Sequence, residues 1–350
     1  MSDPRALQVI GWPLDEQGRP AVTQWRECLQ DHPGARPARV VEQHRSGYVV
    51  ADGPENSFPV ESPPEWQRPP SYRKGGIPPE ARAAVGDWVL VERSGDVIQI
   101  VALLPRHSAI KRAAAGEHYR QQLIAANVDT VFVVCGLDAD FNPRRIERYL
   151  LLVKGSGAQA VVVLTKADRA GDVPGAVATI AGLASADIPV RAINARDPDS
   201  VAALRPWLQP GRTVVVVGSS GAGKSTLTNT LLGSDRMKTA EVRQTDSRGR
   251  HTTTHRALFP LPGGACLIDT PGMRELKPTG EEDVADNFAD IEALTLACRF
   301  RDCRHLKEPG CAVLAAVTAG ELDPQRLANY RKLGGEVAGA AASLAGRRGQ

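Results

Sequence analysis

From about Val128 the chain alternates compact apolar runs with longer mixed stretches. VDTVFVVC at 128–135, QAVVVLT at 159–165, PVRAI at 189–193, TVVVVG at 213–218 and CLIDT at 266–270 are nearly unbroken in hydrophobic residues. That is the texture of strands covered on both faces. Between them the pattern predicts helices over Ile146–Val153, after Asn142-Pro143, over Val173–Ala184, and over Ser225–Leu232. Repeated strand–helix units of this kind predict an open α/β sheet across 111–287.

Upstream the periodicity shortens. Arg39–Gln43, Gly47–Asp52, Asp87–Glu92 and Val97–Leu104 read as short strands separated by Gly, Pro and charged turns. A small β-barrel over 38–110 fits, of the oligonucleotide-binding type or of another small-barrel type. Residues 53–79 hold eight prolines and read as a long irregular insertion. Residues 1–37 read as a loose extension with Trp12, Trp25 and a short helix near Val22–Leu29. Downstream, 288–334 offers no strand-like run but predicts helices at Cys311–Ala319 and Pro324–Leu333. The Ala/Gly-rich tail 335–350 reads as flexible.

The 350 residues, 42% of them apolar, suit two or three domains with a full core. No apolar stretch is long enough for a membrane span, and the N-terminus lacks the basic-then-apolar order of a signal peptide. These features predict a cytoplasmic protein. The net charge of +3 does not by itself argue for a nucleic-acid partner. The basic residues do cluster, at Arg106, Lys111, Arg112 and Arg120, at Arg243, Arg248, Arg250 and Arg256, and at Arg299, Arg301, Arg304 and Lys307. Each cluster suits either a phosphate backbone or an ordinary solvated face.

Candidate chemistry begins at Gly218-Ser219-Ser220-Gly221-Ala222-Gly223-Lys224-Ser225, a phosphate-binding loop between an apolar strand and a helix that continues through Thr226. Its glycines let successive N–H groups face phosphate oxygens, Lys224 brings positive charge, and Ser225 offers a hydroxyl to magnesium. Asp269-Thr270-Pro271-Gly272 follows at a strand end. Asp269 can hold a magnesium-bound water there, and the Gly272 N–H can register a γ-phosphate. GRHTTT at 249–254 lies between, with Thr253 the candidate switch threonine reaching magnesium. Thr165-Lys166-Ala167-Asp168 ends another strand. Asp168 can accept from the N1–H and exocyclic amine of guanine, while Lys166 lies along the base. This tetrapeptide precedes the phosphate loop, so the motif order is rotated relative to a conventional GTPase. Met273 stands where many such proteins carry a water-orienting glutamine, and His251 is the nearest switch-loop residue with suitable chemistry. A surface histidine with no catalytic part is the equal alternative.

Six cysteines are present. Cys135 and Cys266 sit in or beside apolar runs and read as packed core thiols. Cys298, Cys303, His305 and Cys311 give C-x₄-C-x-H-x₅-C, a donor set for one structural tetrahedral zinc, with packed core cysteines as the alternative.

LLPRHSAIKR at 103–112, AANVD at 125–129, TKAD at 165–168, GSSGAGKST at 218–226, GRHTTT at 249–254, DTPGMRE at 269–275 and FRDCRHLKEPGCAVLAAVTAGEL at 300–322 together resemble the bacterial ribosome small subunit-dependent GTPase family. The resemblance spans roughly 38–334. It implies a multidomain chain: an oligonucleotide-binding barrel, a circularly permuted P-loop GTPase domain and a C-terminal helical zinc-binding domain. It also implies a monomer that uses GTP with Mg²⁺, holds one zinc, acts on the small ribosomal subunit and its rRNA, and is stimulated by that subunit. Two departures matter. The family's base motif usually begins with Asn where Thr165 stands, which predicts lower guanine affinity. Its base-contact loop usually carries Ser-Ala, for which Asn194-Ala195 is the nearest match. A nucleotide-gated RNA-binding scaffold with negligible turnover is the competing expectation, favoured by Met273. A metabolic kinase is disfavoured by Asp168 and the motif order.

Overall fold

A computed structural model of the chain describes residues 3–15, 17, 19–44, 47–67, 77, 81–114, 117–184, 187–234, 257–269, 288–300, 303–324, 326–328 and 330–331, with backbone alone at 112–114, 117–122 and 289. Two compact units divide the chain: Met1–Lys111 with Leu123–Glu275, and Arg112–Gln122 with Leu276–Gln350.

The heart of the first unit is the α/β sheet. Parallel strands β8 (Thr130–Gly136), β9 (Gln159–Thr165), β10 (Val190–Ala192), β11 (Thr213–Gly218) and β13 (Cys266–Asp269) lie in the order β10-β9-β8-β11-β13. Strand β12 (Ala257–Pro260) pairs antiparallel with β13. The predicted apolar runs thus fall in strands. Phe132, Val134, Val161, Val163, Val214, Val216 and Leu267 share one core cluster with Leu227, Val201 and Leu204. Their alternates Val131, Val133, Val162, Val215 and Val217 are equally buried. Burial on both faces is why these runs show no polar alternation; each valine side chain contributes about 1.5–3 kcal/mol by leaving water.

Among the described residues, helices α4 (Pro143–Lys154), α5 (Val173–Leu183) and α6 (Pro198–Val201) lie between strands, and α7 (Lys224–Leu232) follows β11. Asn142 starts α4 by accepting from the Arg145 N–H at 3.1 Å, with Pro143 in the first turn. The chain builds outward through β8, β9 and β10, then returns to β11 in the middle and passes to β13 on the other side. Between β8 and β11 the winding reverses, and in open sheets of this kind ligands sit beyond the carboxyl ends of the strands at that point.

The same unit contains a five-stranded β domain: β1 (Arg36–His44), β2 (Gly47–Ala51), β3 (Ser57–Val60), β4 (Trp88–Ser94) and β5 (Val97–Leu103). Antiparallel pairings join β1–β2, β2–β3, β4–β5 and β1–β4, and a parallel bridge Glu61↔Gln99 links the end of β3 to β5. The pairings therefore run in a ring. Ala38, Val40, Val50, Val60, Val89, Val91 and Ile100 fill its interior with Trp66 of the short helix α3 (Pro64–Gln67). Strand β3 lies inside the proline-rich stretch expected to be irregular. It is four residues long, and Pro59, paired with Val49, cannot donate to a ladder; both features hid it from the pattern. A separate two-stranded sheet, β6 (Ala109–Ala114) with β7 (Glu117–Ala126), was also outside the expected elements.

Strand β1 also pairs with β12, at Glu42↔Ala257, so the two sheets are continuous. Arg39, 1% exposed, reinforces the junction. Its guanidinium donates to the carbonyls of Gly86 (3.2 Å), Asn127 (3.3 Å) and Ile10, and to the Thr213 hydroxyl at the start of β11 (2.8 Å). Beside it Asp87 is fully buried and takes two bonds of 2.7 Å from Arg106.

The N-terminal residues, expected to be loose, are packed. Helices α1 (Pro4–Val9) and α2 (Thr23–Asp31) bury Leu7 and Trp25, and Trp12 lies 4.8 Å from Trp25 and 4.6 Å from Trp88 between ring centroids. The Trp25 indole N–H donates to the Pro105 carbonyl at 2.8 Å. Three large rings supply the burial that the segment's weak periodicity does not advertise.

In the second unit α8 (Ala289–Thr295) and α9 (Ala312–Thr318) pack together, with Phe288, Ile291, Val313, Ala316, Leu322 and Leu327 buried. Helical backbone recurs at 324, 326–328 and 330–331. Arg326 clasps Asp290 with bonds of 2.6 and 2.7 Å, and the Tyr330 hydroxyl donates to Glu292 at 2.9 Å. Among the described residues no helix is long and apolar enough to cross a membrane.

Candidate functional site

The phosphate loop sits between the end of β11 and the start of α7. Gly218 has φ +146°, and a Cβ there would lie 2.1 Å from the Val134 carbonyl oxygen of β8, so no other residue fits without moving a backbone. Ser220 and Gly221 are exposed, Ser219 and Gly223 to Thr226 are half-buried, and Ala222 is buried. Gly223 is the N-cap of α7, whose first turn holds Lys224, Ser225 and Thr226. The free N–H groups and the dipole of a helix start make this end attractive to an anion. The Lys224 ammonium donates to the Ser219 carbonyl, folding the charge over the loop it would serve.

Strand register brings the second motif alongside. Gly218 pairs with Val134, Val134 with Val163, and Gly136 with Thr165. Thr165 thus ends β9 one strand beyond β8, at the same edge of the sheet. Thr165 is fully buried, and its hydroxyl donates to the Ala222 carbonyl at 2.6 Å. The shorter side chain therefore reaches the phosphate loop. Lys166 follows with a left-handed backbone, φ +62°, and Asp168 sits in a short 3₁₀ turn, Ala167–Arg169. Asp168 is exposed, 3.6 Å from Arg169, so the buried feature is the strand leading to it rather than the carboxylate itself. The Ala167 N–H donates to the Ile193 carbonyl at 3.2 Å, which sets Asn194-Ala195 beside this turn. Thr230 of α7 in turn donates to the Ala195 carbonyl at 2.7 Å.

Asp269, half-buried at the end of β13, comes one residue past the Val215–Ile268 pair, at the edge where β11 enters the phosphate loop. His251, Thr253, Thr270, Pro271, Gly272 and Met273 lie outside the described residues.

Two residues of the β8–α4 connection, Asp138 and Asp140, reach this site without having been singled out. The Asp138 carboxylate accepts from the Lys166 ammonium, which holds Asp138 below the usual carboxylate range. Asp140 accepts from the Ser219 hydroxyl and pairs with Arg145. The available signal was Asp138-Ala139-Asp140 directly after the carboxyl end of a buried strand.

A second constellation lies in the other unit. Cys298, Cys303, His305 and Cys311 present ligand atoms that all fall within 4.8 Å of one another, a group that could hold a metal ion. His305 Nδ1 is 3.6 Å from Cys298 Sγ and 3.3 Å from Cys311 Sγ, and the two sulfurs are 3.8 Å apart. Thiolates about 2.3 Å and an imidazole nitrogen about 2.0–2.1 Å from a shared tetrahedral ion lie about 3.5–3.8 Å apart, close to the three separations among Cys298, His305 and Cys311. His305 is buried, and burial lowers its pKa, favouring the neutral ring that a ligand needs. By contrast, burial pushes the Cys135 and Cys266 thiols up, as expected of packed core residues.

Comparison with known proteins matches this geometry. The RsgA GTPase family profile matches residues 103–279. The small ribosomal subunit biogenesis GTPase RsgA of Xanthomonas axonopodis pv. citri (strain 306) is 67% identical over 345 residues, covering 98% of this chain and 92% of that one. Its namesake in Xanthomonas oryzae pv. oryzae (strain MAFF 311018) is 66% identical over the same span. Among solved structures, YjeQ from Thermotoga maritima superposes with a TM-score of 0.60 at 23% identity, covering 87% of this chain and 99% of that one. YloQ, described as a circularly permuted GTPase, gives 0.56 at 24% identity, covering 88% and 96%. At those identities the structures speak for the fold, and the sequence relatives for the family. The chain belongs to the RsgA family of GTPases.

Proposed function

We propose that the protein hydrolyses GTP to GDP and phosphate on the small ribosomal subunit and so assists the late maturation of that subunit in the cytoplasm, acting as a monomer. The observation that carries the nucleotide reading is the bond from Thr165 to Ala222, which ties the base-reading turn to the phosphate loop at aligned strand ends. In this reading Lys166 and Asp168 receive guanine, the backbone from Gly218 to Thr226 cradles the phosphates, and Lys224 balances their charge. Ser225 and Thr253 would hold magnesium, with Asp269 behind a bound water; the ion would neutralise charge on the phosphates. Gly272 would sense the γ-phosphate, and His251 would orient the attacking water. The Cys298, Cys303, His305 and Cys311 cluster would hold one structural zinc. The five-stranded β domain, read as an oligonucleotide-binding barrel, and the basic residues of the metal cluster would contact rRNA. Arg299, Arg304 and Lys307 lie between its ligands, and among the described residues Leu296, Phe300 and Leu306 expose apolar surface there.

The second reading, a nucleotide-gated scaffold with negligible turnover, is favoured by Met273. Phosphate release with and without purified small subunits at low salt separates the two, because backbone contacts weaken steeply as salt rises. Stimulated turnover that Lys224→Ala abolishes supports the enzyme; binding of subunits without turnover supports the scaffold. His251→Ala should lower stimulated kcat with GTP affinity and subunit binding kept, and full stimulated turnover would exclude its role.

A further inference from the structure

The connection between β8 and α4 joins both halves of the nucleotide site. At one end the Leu137 N–H donates to the Thr165 carbonyl at 2.9 Å. At the other, Asp140 accepts from Ser219 of the phosphate loop and is pinned by Arg145 in the first turn of α4. Asp138 lies between these anchors. One carboxylate oxygen accepts from the Asp140 N–H at 3.0 Å, fixing the side chain locally, and the other accepts from the Lys166 ammonium. The pair crosses Gly136 at the end of β8. A Cβ there would stand 2.8 Å from Asp138 Oδ1 and 3.1 Å from Lys166 Nζ, so any larger residue would push the ends of these two side chains aside. Lys166 meanwhile holds a left-handed backbone, a conformation that costs a non-glycine residue energy and persists only when its surroundings impose it.

We propose that Asp138 is a positioning residue of the guanine-nucleotide site, holding the Lys166 ammonium across Gly136 so that the lysine chain is already in place when the base arrives. The proposal rests on the reading of this site as one for guanine nucleotides. A flexible lysine must give up rotamer freedom to lie along a base, and a carboxylate that has already fixed its far end reduces that loss at binding. Asp138 touches no nucleotide in this scheme; it acts through Lys166.

The test is a cycle of mant-GDP dissociation constants for the unmodified full-length protein, Asp138→Asn, Lys166→Ala and the double variant, with thermal unfolding of each. Asparagine keeps the acceptor for the Asp140 N–H and removes the charge. Asp138→Asn should weaken mant-GDP binding roughly three- to fivefold, the range of a partly exposed ion pair. In the Lys166→Ala background the same change should have almost no effect, and Asp138→Glu should recover most of the affinity. A merely structural aspartate would cost the same in both backgrounds. Equal losses in both, or no loss in either, overturn the assignment while leaving the guanine site standing. If the unmodified protein fails to bind mant-GDP, the guanine reading falls and this assignment falls with it.

Discussion

Replacing Thr165 by valine removes one hydroxyl and little else. The side chain is fully buried and close in shape to valine, so the cavity term is small. What is lost is the 2.6 Å bond to the Ala222 carbonyl, with only a 3.5 Å approach to the Cys135 carbonyl beside it. Ala222 is itself fully buried, so its carbonyl cannot turn to water without moving the phosphate loop. An unsatisfied buried acceptor costs about 1–3 kcal/mol. If the loop relieves that cost by shifting, the strain appears in nucleotide binding, where about 1.4 kcal/mol is tenfold in Kd. Thr165→Val should therefore raise the GDP dissociation constant about tenfold in calorimetry and lower the melting temperature, with Lys166 and Asp168 untouched. Thr165→Ser, which keeps the hydroxyl, should stay near the unmodified protein. A valine variant that binds GDP as tightly and melts at the same temperature would refute the claim that this bond aligns the two loops.

Asp168→Asn should weaken GTP binding and relax rejection of xanthosine nucleotides in competition assays; because Asp168 is exposed, the loss should appear in binding and hardly in thermal stability. Cys303→Ser or Cys311→Ser should lose bound zinc by elemental analysis and unfold the metal-cluster unit while the α/β sheet stays folded, and an unmodified protein with less than about half an equivalent of zinc would count against the site. Asp290 is held below its ordinary value of 3.8 by the Arg326 guanidinium. The unfolded carboxyl binds its proton more readily, so the pair's contribution is present above the unfolded value and is lost as pH falls through the lower folded one. The stability gap between the unmodified protein and Arg326→Ala, measured by urea titration, should stay flat from pH 8 to about pH 5 and shrink only in stronger acid.

Strands β8, β9, β11 and β13 of the α/β sheet were legible because they are buried on both faces, which leaves unbroken apolar runs such as TVVVVG and QAVVVLT, whereas β12 was outside the expected elements. The phosphate loop, the TKAD turn and the Cys/His set were legible for a different reason: their chemistry depends on residue type at short fixed spacing, which the chain carries wherever it folds. Strand β3 was not, because four residues with a proline give no period. Nor were α1 and the packing of the N-terminal residues, held by Trp12, Trp25 and Trp88 rather than by their own pattern, although α2 falls where a short helix was expected near Val22–Leu29. The sequence by itself determined which residues are candidates for phosphate, guanine and a metal, and that their order is rotated. Only the tertiary structure decided which of them meet. Thr165 and Ala222 are 57 residues apart, Asp138 and Lys166 28, and Arg39 and Thr213 174. Such contacts arise from strand register and burial, which depend on the whole sheet closing at once, and no local spacing encodes them.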